Sequence, residues 1–196
     1  MLKLTKCQYD NLFVTSDLHF GHRQKFVYAD RGYSSPQEMD EDLITIINQK
    51  VGKDGILLHL GDLSLNTSES RLLEIFSKLK IKEFWNLWGN HNQPLFSLKK
   101  RMYNFVFLNF EYYLTMRYEK KEFVCFHFPI MAWDNMFKGS MHLCGHSHGK
   151  NPLSRIEAKQ SKILDCGWDI HSQPLSMFEI EKIMETKLIP QRQYDI

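Results

Sequence analysis

The chain has 196 residues, 43% hydrophobic and 24% charged, a globular balance that excludes bulk disorder and fibrous repeats. That length suits one domain, read here as residues 1–196, with enough core to fold without disulfides. Lys and Arg total 25 against 23 Asp and Glu, and the resulting charge of +2 is too small for a protein held to nucleic acid by charge.

No apolar run approaches the roughly 20 residues that cross a bilayer, and Met1 to Lys6 lacks an apolar signal core. Cys7, Cys125, Cys144 and Cys166 are widely spread with no CxxC pair, as in ordinary intracellular thiols. A cytoplasmic location without membrane association is expected.

In chain order, Asn11 to Ser16 is a β-prone run that ends at Asp17. Ser35-Pro36 followed by Glu38, Asp40, Glu41 and Asp42 marks a helix start, with Leu43, Ile46, Ile47 and Val51 recurring at helical spacing. Gly52 to Gly55 breaks that helix, and Ile56 to Leu60 is a buried strand running into Gly61-Asp62. Asn66 or Ser68 caps a helix whose apolar face is Leu72, Leu73, Ile75, Phe76 and Leu79. Glu83 to Trp88 is the next strand, ending at Gly89-Asn90-His91-Asn92. A short basic helix is predicted near 95–102, then aromatic-rich strand material over 105–118. Strands over 122–126 and 141–144 run into His127 and into Gly145-His146-Ser147-His148, and closing strands fall within 162–180 with a helix near 177–187.

Strand, polar loop and helix in repetition, then strands in succession, predict an α/β fold. The expected form is a four-layer α/β/β/α sandwich of mixed sheets with helices outside. Ligands of such folds bind beyond the carboxyl ends of the strands. Asp17, His19, Asp62, Asn90, His91, His127, His146 and His148 each follow a predicted strand, so the pattern sets them on one rim. Carboxylate, imidazole and amide oxygen suit borderline or hard divalent ions, and the loops offer no cysteines for a closed structural zinc site. So many ligands exceed the needs of one ion with open positions. Two ions roughly 3.5–4 Å apart can clamp both oxygens of an in-line phosphoryl displacement, the chemistry of phosphoester hydrolysis.

The strings Asp17-Leu18-His19, Gly61-Asp62, Gly89-Asn90-His91, His127 and Gly145-His146-Ser147-His148 occur in the order D-x-H, GD, GNH, H, GHxH. That set resembles the calcineurin-like metallophosphoesterase superfamily, over residues 17–148. The fuller strings Thr15 to His22 and Gly145 to Gly149 resemble a branch of small bacterial and phage-borne members, which implies a bacterial or phage-infected cytoplasm. The resemblance implies one ion held by Asp17, His19 and His148, and a second held by Asn90, His127 and His146, with Asp62 bridging. Alternation along a strand-end lets Asp17 and His19 reach one ion, and lets His146 and His148 each face a different one.

It implies attack by a metal-bridging hydroxide on a small phosphoester, a nucleotide or cyclic nucleotide mono- or diester. Manganese is the first choice of metal, with iron, zinc and nickel sharing the ligand mix. His91 is assigned to proton transfer, with Asn92 standing where the family usually carries an acid that strengthens that imidazole. His22, Asn92 and His171 are candidate substrate contacts, with Asp169 near the edge of the site. His59 and Cys144 are read as buried in strands, and Lys99-Lys100-Arg101 as a solvated helix face. A nuclease or protein phosphatase on the same fold is the alternative, and a non-catalytic binding scaffold a more distant one. A metallo-β-lactamase site would need an HxHxDH string that is absent. Substrate choice is expected to lie in loops 20–35, 64–70, 92–104 and 130–140; the oligomeric state is not legible.

Overall fold

The computed structural model describes residues 1–91 and 105–191. Two five-stranded mixed sheets pack face to face. One carries the parallel strands β2 (Leu12–Thr15), β3 (Ile56–His59), β4 (Glu83–Asn86) and β5 (Val106–Asn109), with β10 (Leu175–Ser176) antiparallel along β2. In the other, β6 (Tyr113–Tyr118) lies between β1 (Leu2–Lys3) and its antiparallel neighbour β7 (Lys121–Phe126). There, β8 (Met141–Cys144) and β9 (Ile163–Asp165) continue parallel to β7.

Side-chain alternation divides the strands between two cores. Leu12, Val14, Ile56, Leu58 and Trp85 point inward and meet Leu114, Met116, Phe123, Cys125, Leu143 and Leu164 of the opposite sheet. Leu57, Phe84 and Phe107 point outward against two helices, α3 (Pro36–Val51) and α4 (Glu69–Ser77). Packing on both faces explains why every residue of β3, His59 included, is buried.

Helix α3 begins as its sequence dictates: Ser35 Oγ accepts the Glu38 amide at 3.2 Å, Pro36 opens the first turn, and Glu38 sits near the positive dipole end. Its buried stripe is Met39, Asp40, Leu43, Ile44, Ile47 and Val51, so Ile44 takes the inward place expected of Ile46. Ser68, rather than Asn66, caps α4. The strand expected over 83–88 stops at Asn86, and the material at 105–118 divides into β5 and β6. The basic helix expected near 95–102 lies outside the described residues.

The α/β sandwich is the predicted one, with unequal outer layers. Among the described residues, α3 and α4 cover one sheet. The other is capped by Ile130, Trp133 and Met136, in a loop with a single 3-10 turn over Met136–Lys138. The remaining longer helix, α6 (Met177–Glu185), contributes Met177, Ile180 and Met184 to the core between the sheets, beside α1 (Lys6–Asp10). Short helices over Lys25–Tyr28 (α2) and Trp168–His171 (α5) flank the carboxyl rim. No helix among the described residues is long and apolar enough to cross a membrane.

Parallel strand order delivers β2, β3 and β4 to one end in register, Thr15 beside His59 beside Asn86. The other sheet ends β7, β8 and β9 likewise. The rims are joined directly: Ser16, just past β2, pairs with Gly167, just past β9, and the Trp168 amide donates to Ser16 O at 3.0 Å.

Candidate metal centre

The chain leaves β2, β3 and β8 in sharp reversals. Asp17, His19, Asp62, His146 and His148 all have positive φ, between 47° and 66°. Strand alternation therefore does not aim these side chains. In D-x-H and GHxH the convergence comes from left-handed kinks, a conformation that non-glycine residues adopt at a cost of about 1–3 kcal/mol. The residues between the ligands bind inward: Leu18 is buried in the helix-side core, and Ser147 Oγ donates to Asp165 Oδ2 at 2.5 Å.

Two groups of ligand atoms result, Asp17 with His19 and His148, and Asp62 with His127 and His146, each with atoms within 4.8 Å of one another. Asn90 Oδ1 lies 3.1 Å from His127 Nε2, which places the amide oxygen with the second group. The groups adjoin, for the His146 amide donates to Asp17 Oδ2 at 3.0 Å. Motif glycines permit these approaches. A Cβ on Gly145 would stand 2.0 Å from Ser16 Oγ and 2.5 Å from Asp17 Oδ2, and one on Gly89 would stand 2.1 Å from Asp62 Oδ1.

The donor set fits cations. His127 Nδ1 donates to Leu60 O at 3.0 Å, which directs the lone pair of neutral imidazole through Nε2 toward Asp62 Oδ1 (3.4 Å) and Asn90 Oδ1 (3.1 Å). A lone pair facing two oxygens calls for a positive charge among them. His148 repeats the scheme: Nδ1 donates to Asp169 Oδ2 at 2.6 Å, leaving Nε2 4.0 Å from Asp17 Oδ1. The buried His19 Nδ1 has no hydrogen-bond partner.

Burial pushes the Asp17 carboxyl up to about 6 against the pull of His127 and His148, and burial with Arg31 nearby lowers His19 to about 3. Without an ion, a proton on His127 Nε2 takes the place of that positive charge: burial would raise Asp62, yet the hydrogen bond it then accepts from His127 holds it well below the usual carboxylate range. The same bond outweighs burial at His127 and raises that imidazole. His146 is lowered by burial and by His127. Two buried carboxylates among four imidazoles, with His19 and His127 also shut off from water, would be well compensated by divalent ions.

A cavity of about 460 Å³ opens over both groups. His19, Asp62, Asn90, His146 and His148 line it, while Asp17 and His127 lie buried beneath. His91 is on its wall, its amide donating to Asp62 Oδ1 at 2.9 Å and its Nε2 3.9 Å from Asp62 Oδ2. His22 lines it too, edge-on to His19, with Nδ1 accepting the Gln24 amide at 3.2 Å. His171 is not among the lining residues; its ring meets Asp165 O at 2.9 Å. Asn92 lies outside the described residues, as do Lys99, Lys100 and Arg101. His59 is fully buried in β3, its Nδ1 donating to Asn86 Oδ1 at 3.1 Å, and Cys144 is a buried strand thiol, both as expected.

Three supporting residues escaped the motif reading. Asp40 on α3 is buried and accepts the Gly21 amide and Arg71 Nη2, each at 2.8 Å, fastening the D-x-H loop to the helix. Its signal was an acid on an apolar stripe. Asp165, at the end of β9, accepts the Gly167 and Gly149 amides. Arg31 binds Asp169 and the backbone of Asp17 and Leu18, and nothing in its sequence surroundings announces it.

No family model matches the chain. A protein of Methanocaldococcus jannaschii, MJ1445, is uncharacterized and 27% identical over 177 residues, covering 89% of this chain and 91% of its own. A likeness to YfcE, a phosphoesterase from E. coli, covers 80% of this chain and 77% of that one at 15% identity, with a TM-score of only 0.42. AQ665 of Aquifex aeolicus, a protein of unknown function, superposes with a TM-score of 0.64 at 18% identity, covering 88% of this chain and 98% of its own, and so shares the fold.

Proposed function

We propose that the chain is a dinuclear metal-dependent phosphoesterase acting on a small phosphoester of nucleotide or cyclic-nucleotide type. The observation that carries the reading is the pair of adjoining ligand groups on the floor of one cavity. They are built from the motif set that resembles the calcineurin-like metallophosphoesterases. Asp17, His19 and His148 would hold one ion, and Asn90, His127 and His146 the other, with Asp62 shared. Manganese is the first choice, and iron, zinc and nickel accept the same ligands. Such a pair supplies Lewis acidity to a phosphoryl oxygen and lowers the pKa of water at the site.

The chain's own groups do the rest. His22 Nδ1 is occupied as an acceptor, so its other nitrogen carries the proton and is a donor for a phosphoryl oxygen. Phe26, Val27 and Leu65 make an apolar wall beside the ligands, suited to a planar base. As water forms the new P–O bond and the bond to the leaving oxygen breaks, His91 Nε2 gives that oxygen its proton. The amide anchor to Asp62 keeps His91 beside the reacting phosphorus.

The test is hydrolysis of an aryl phosphodiester, the matching monoester and cyclic nucleotides by manganese-loaded protein. Activity that needs the ion, disappears in Asp62→Asn and falls in His91→Ala is expected. Metal-replete protein that cleaves none of these, or variants as fast as the parent, would reject the reading.

A further inference from the structure

An arginine on the wall of a phosphoester cavity ordinarily invites the role of anion clamp. Arg31 stands on that wall, yet its donors are spent. Nε donates to Asp169 Oδ1 at 2.8 Å, and Nη2 to Asp169 Oδ2 at 3.0 Å and Asp17 O at 2.7 Å. Nη1 donates to Leu18 O at 3.0 Å and points to Met39 Sδ at 3.6 Å. A guanidinium has five N–H bonds, and all five meet this chain, on a side chain only 6% exposed.

We infer that Arg31, acting through Asp169, is a positioning residue that sets the metal affinity of the Asp17/His19/His148 group alone, and that it does not bind the substrate phosphate. The inference rests on the two-ion reading above. Two of the five bonds hold the carbonyls of Asp17 and Leu18, inside the left-handed turn that presents Asp17 and His19. Two more grip Asp169 in a bidentate fork, and Asp169 Oδ2 in turn takes the Nδ1 proton of His148 at 2.6 Å, leaving Nε2 as the ligand atom. One guanidinium thereby ties together ligands from both sheets. Among the described residues, none of its hydrogen bonds reaches Asp62, Asn90, His127 or His146; His127 is oriented separately, by Leu60 O.

Removing an outer partner of a metal-bound imidazole typically weakens metal binding roughly 10–100-fold. The experiment is calorimetric titration of the whole chain with Mn²⁺, with electron paramagnetic resonance of the loaded protein. The parent is expected to take two ions and show the signal of a coupled pair. Asp169→Asn, nearly isosteric, and Arg31→Ala are expected to keep one ion at parental affinity, bind the other at least tenfold more weakly, and show the spectrum of an isolated ion. Millimolar guanidinium should restore the second ion to Arg31→Ala, whereas Arg31→Lys, with three donors and no planar fork, should lack it. Should Arg31→Ala fail to fold, Asp169→Asn carries the test. Retention of both ions at parental affinity, or equal weakening of both, overturns the inference and leaves the proposed function standing. A parent that binds fewer than two ions overturns both.

Discussion

Five of the ten non-glycine residues with positive φ among the described residues are motif residues of this centre. Each strained kink persists because neighbours overdetermine it: the Asp17 amide bonds Gly61 O, the His19 amide bonds Asp62 O, and Asp17 takes the His146 amide. Gly145 leaves the narrowest clearance, so Gly145→Ala is expected to displace the Asp17 carboxylate. Manganese affinity at the Asp17 group should fall at least tenfold, read by titration, in a chain whose far-ultraviolet dichroism is unchanged. Phe26 is 65% exposed on the cavity wall, with its ring centroid 6.1 Å from that of His22. If it stacks a nucleobase, Phe26→Ala loses about 1 kcal/mol of binding, roughly a fivefold rise in KM with kcat little changed. Equal KM values for parent and variant on nucleotide substrates would exclude the stacking.

Elements act here as aiming devices. Helix α3 does more than cover a sheet, because Asp40 on its buried stripe holds the Gly21 amide next to the site. Replacing the helix cap, Ser35→Ala, removes one bond from the first turn and should cost about 1 kcal/mol in denaturant unfolding without altering metal stoichiometry. Asp40→Asn has the other profile: the Arg71 ion pair to a fully buried carboxylate is lost, and the Gly21 loop loosens. Its expected signature is weaker metal binding together with lower stability. A variant matching Ser35→Ala in both measurements would show that the anchor does not reach the site.

At the scale of the whole molecule, ions bound between the two rims would hold the sheets together. Saturation at about 100 times the dissociation constant adds about 2.7 kcal/mol per ion, so chelation should lower Tm, and excess Mn²⁺ should raise it in a concentration-dependent way. Acidity acts through the cores. His59 is wholly buried, and burial lowers its imidazole to about 3 from an ordinary 6.5, against the hydrogen bond it donates to Asn86. Between those values the unfolded chain takes a proton that the folded chain refuses. The contribution of His59 to stability is therefore complete above about pH 6.5 and is lost as pH falls toward 3, by up to about 1.4 kcal/mol per pH unit. Asp17, raised by burial, opposes that slope in metal-free protein. The difference between the parent and His59→Gln isolates the effect: below pH 6 the variant should lose stability less steeply, by up to one proton, in denaturant titrations.

That these motif residues gather on one rim, and that the rim belongs to an α/β sandwich, was legible in the sequence. D-x-H, GD, GNH, H and GHxH each follow an apolar strand, and parallel strands must end on a common side. Helix α3 was equally legible, since its cap, proline and apolar period are local. How the ligands aim was not. Sequence spacing suggested strand alternation, whereas the backbone leaves β2, β3 and β8 through left-handed kinks whose energy is balanced by contacts with residues distant in the chain. Nor did sequence mark Arg31, Asp165 and Asp40 as supports, because a charged side chain acquires its role from where the opposite sheet or helix brings its partner. Local propensity and periodicity determined which strands, helices and ligands this chain would have. Only tertiary packing decided which imidazole faces which carboxylate, because those distances arise where two sheets built from distant parts of the chain meet.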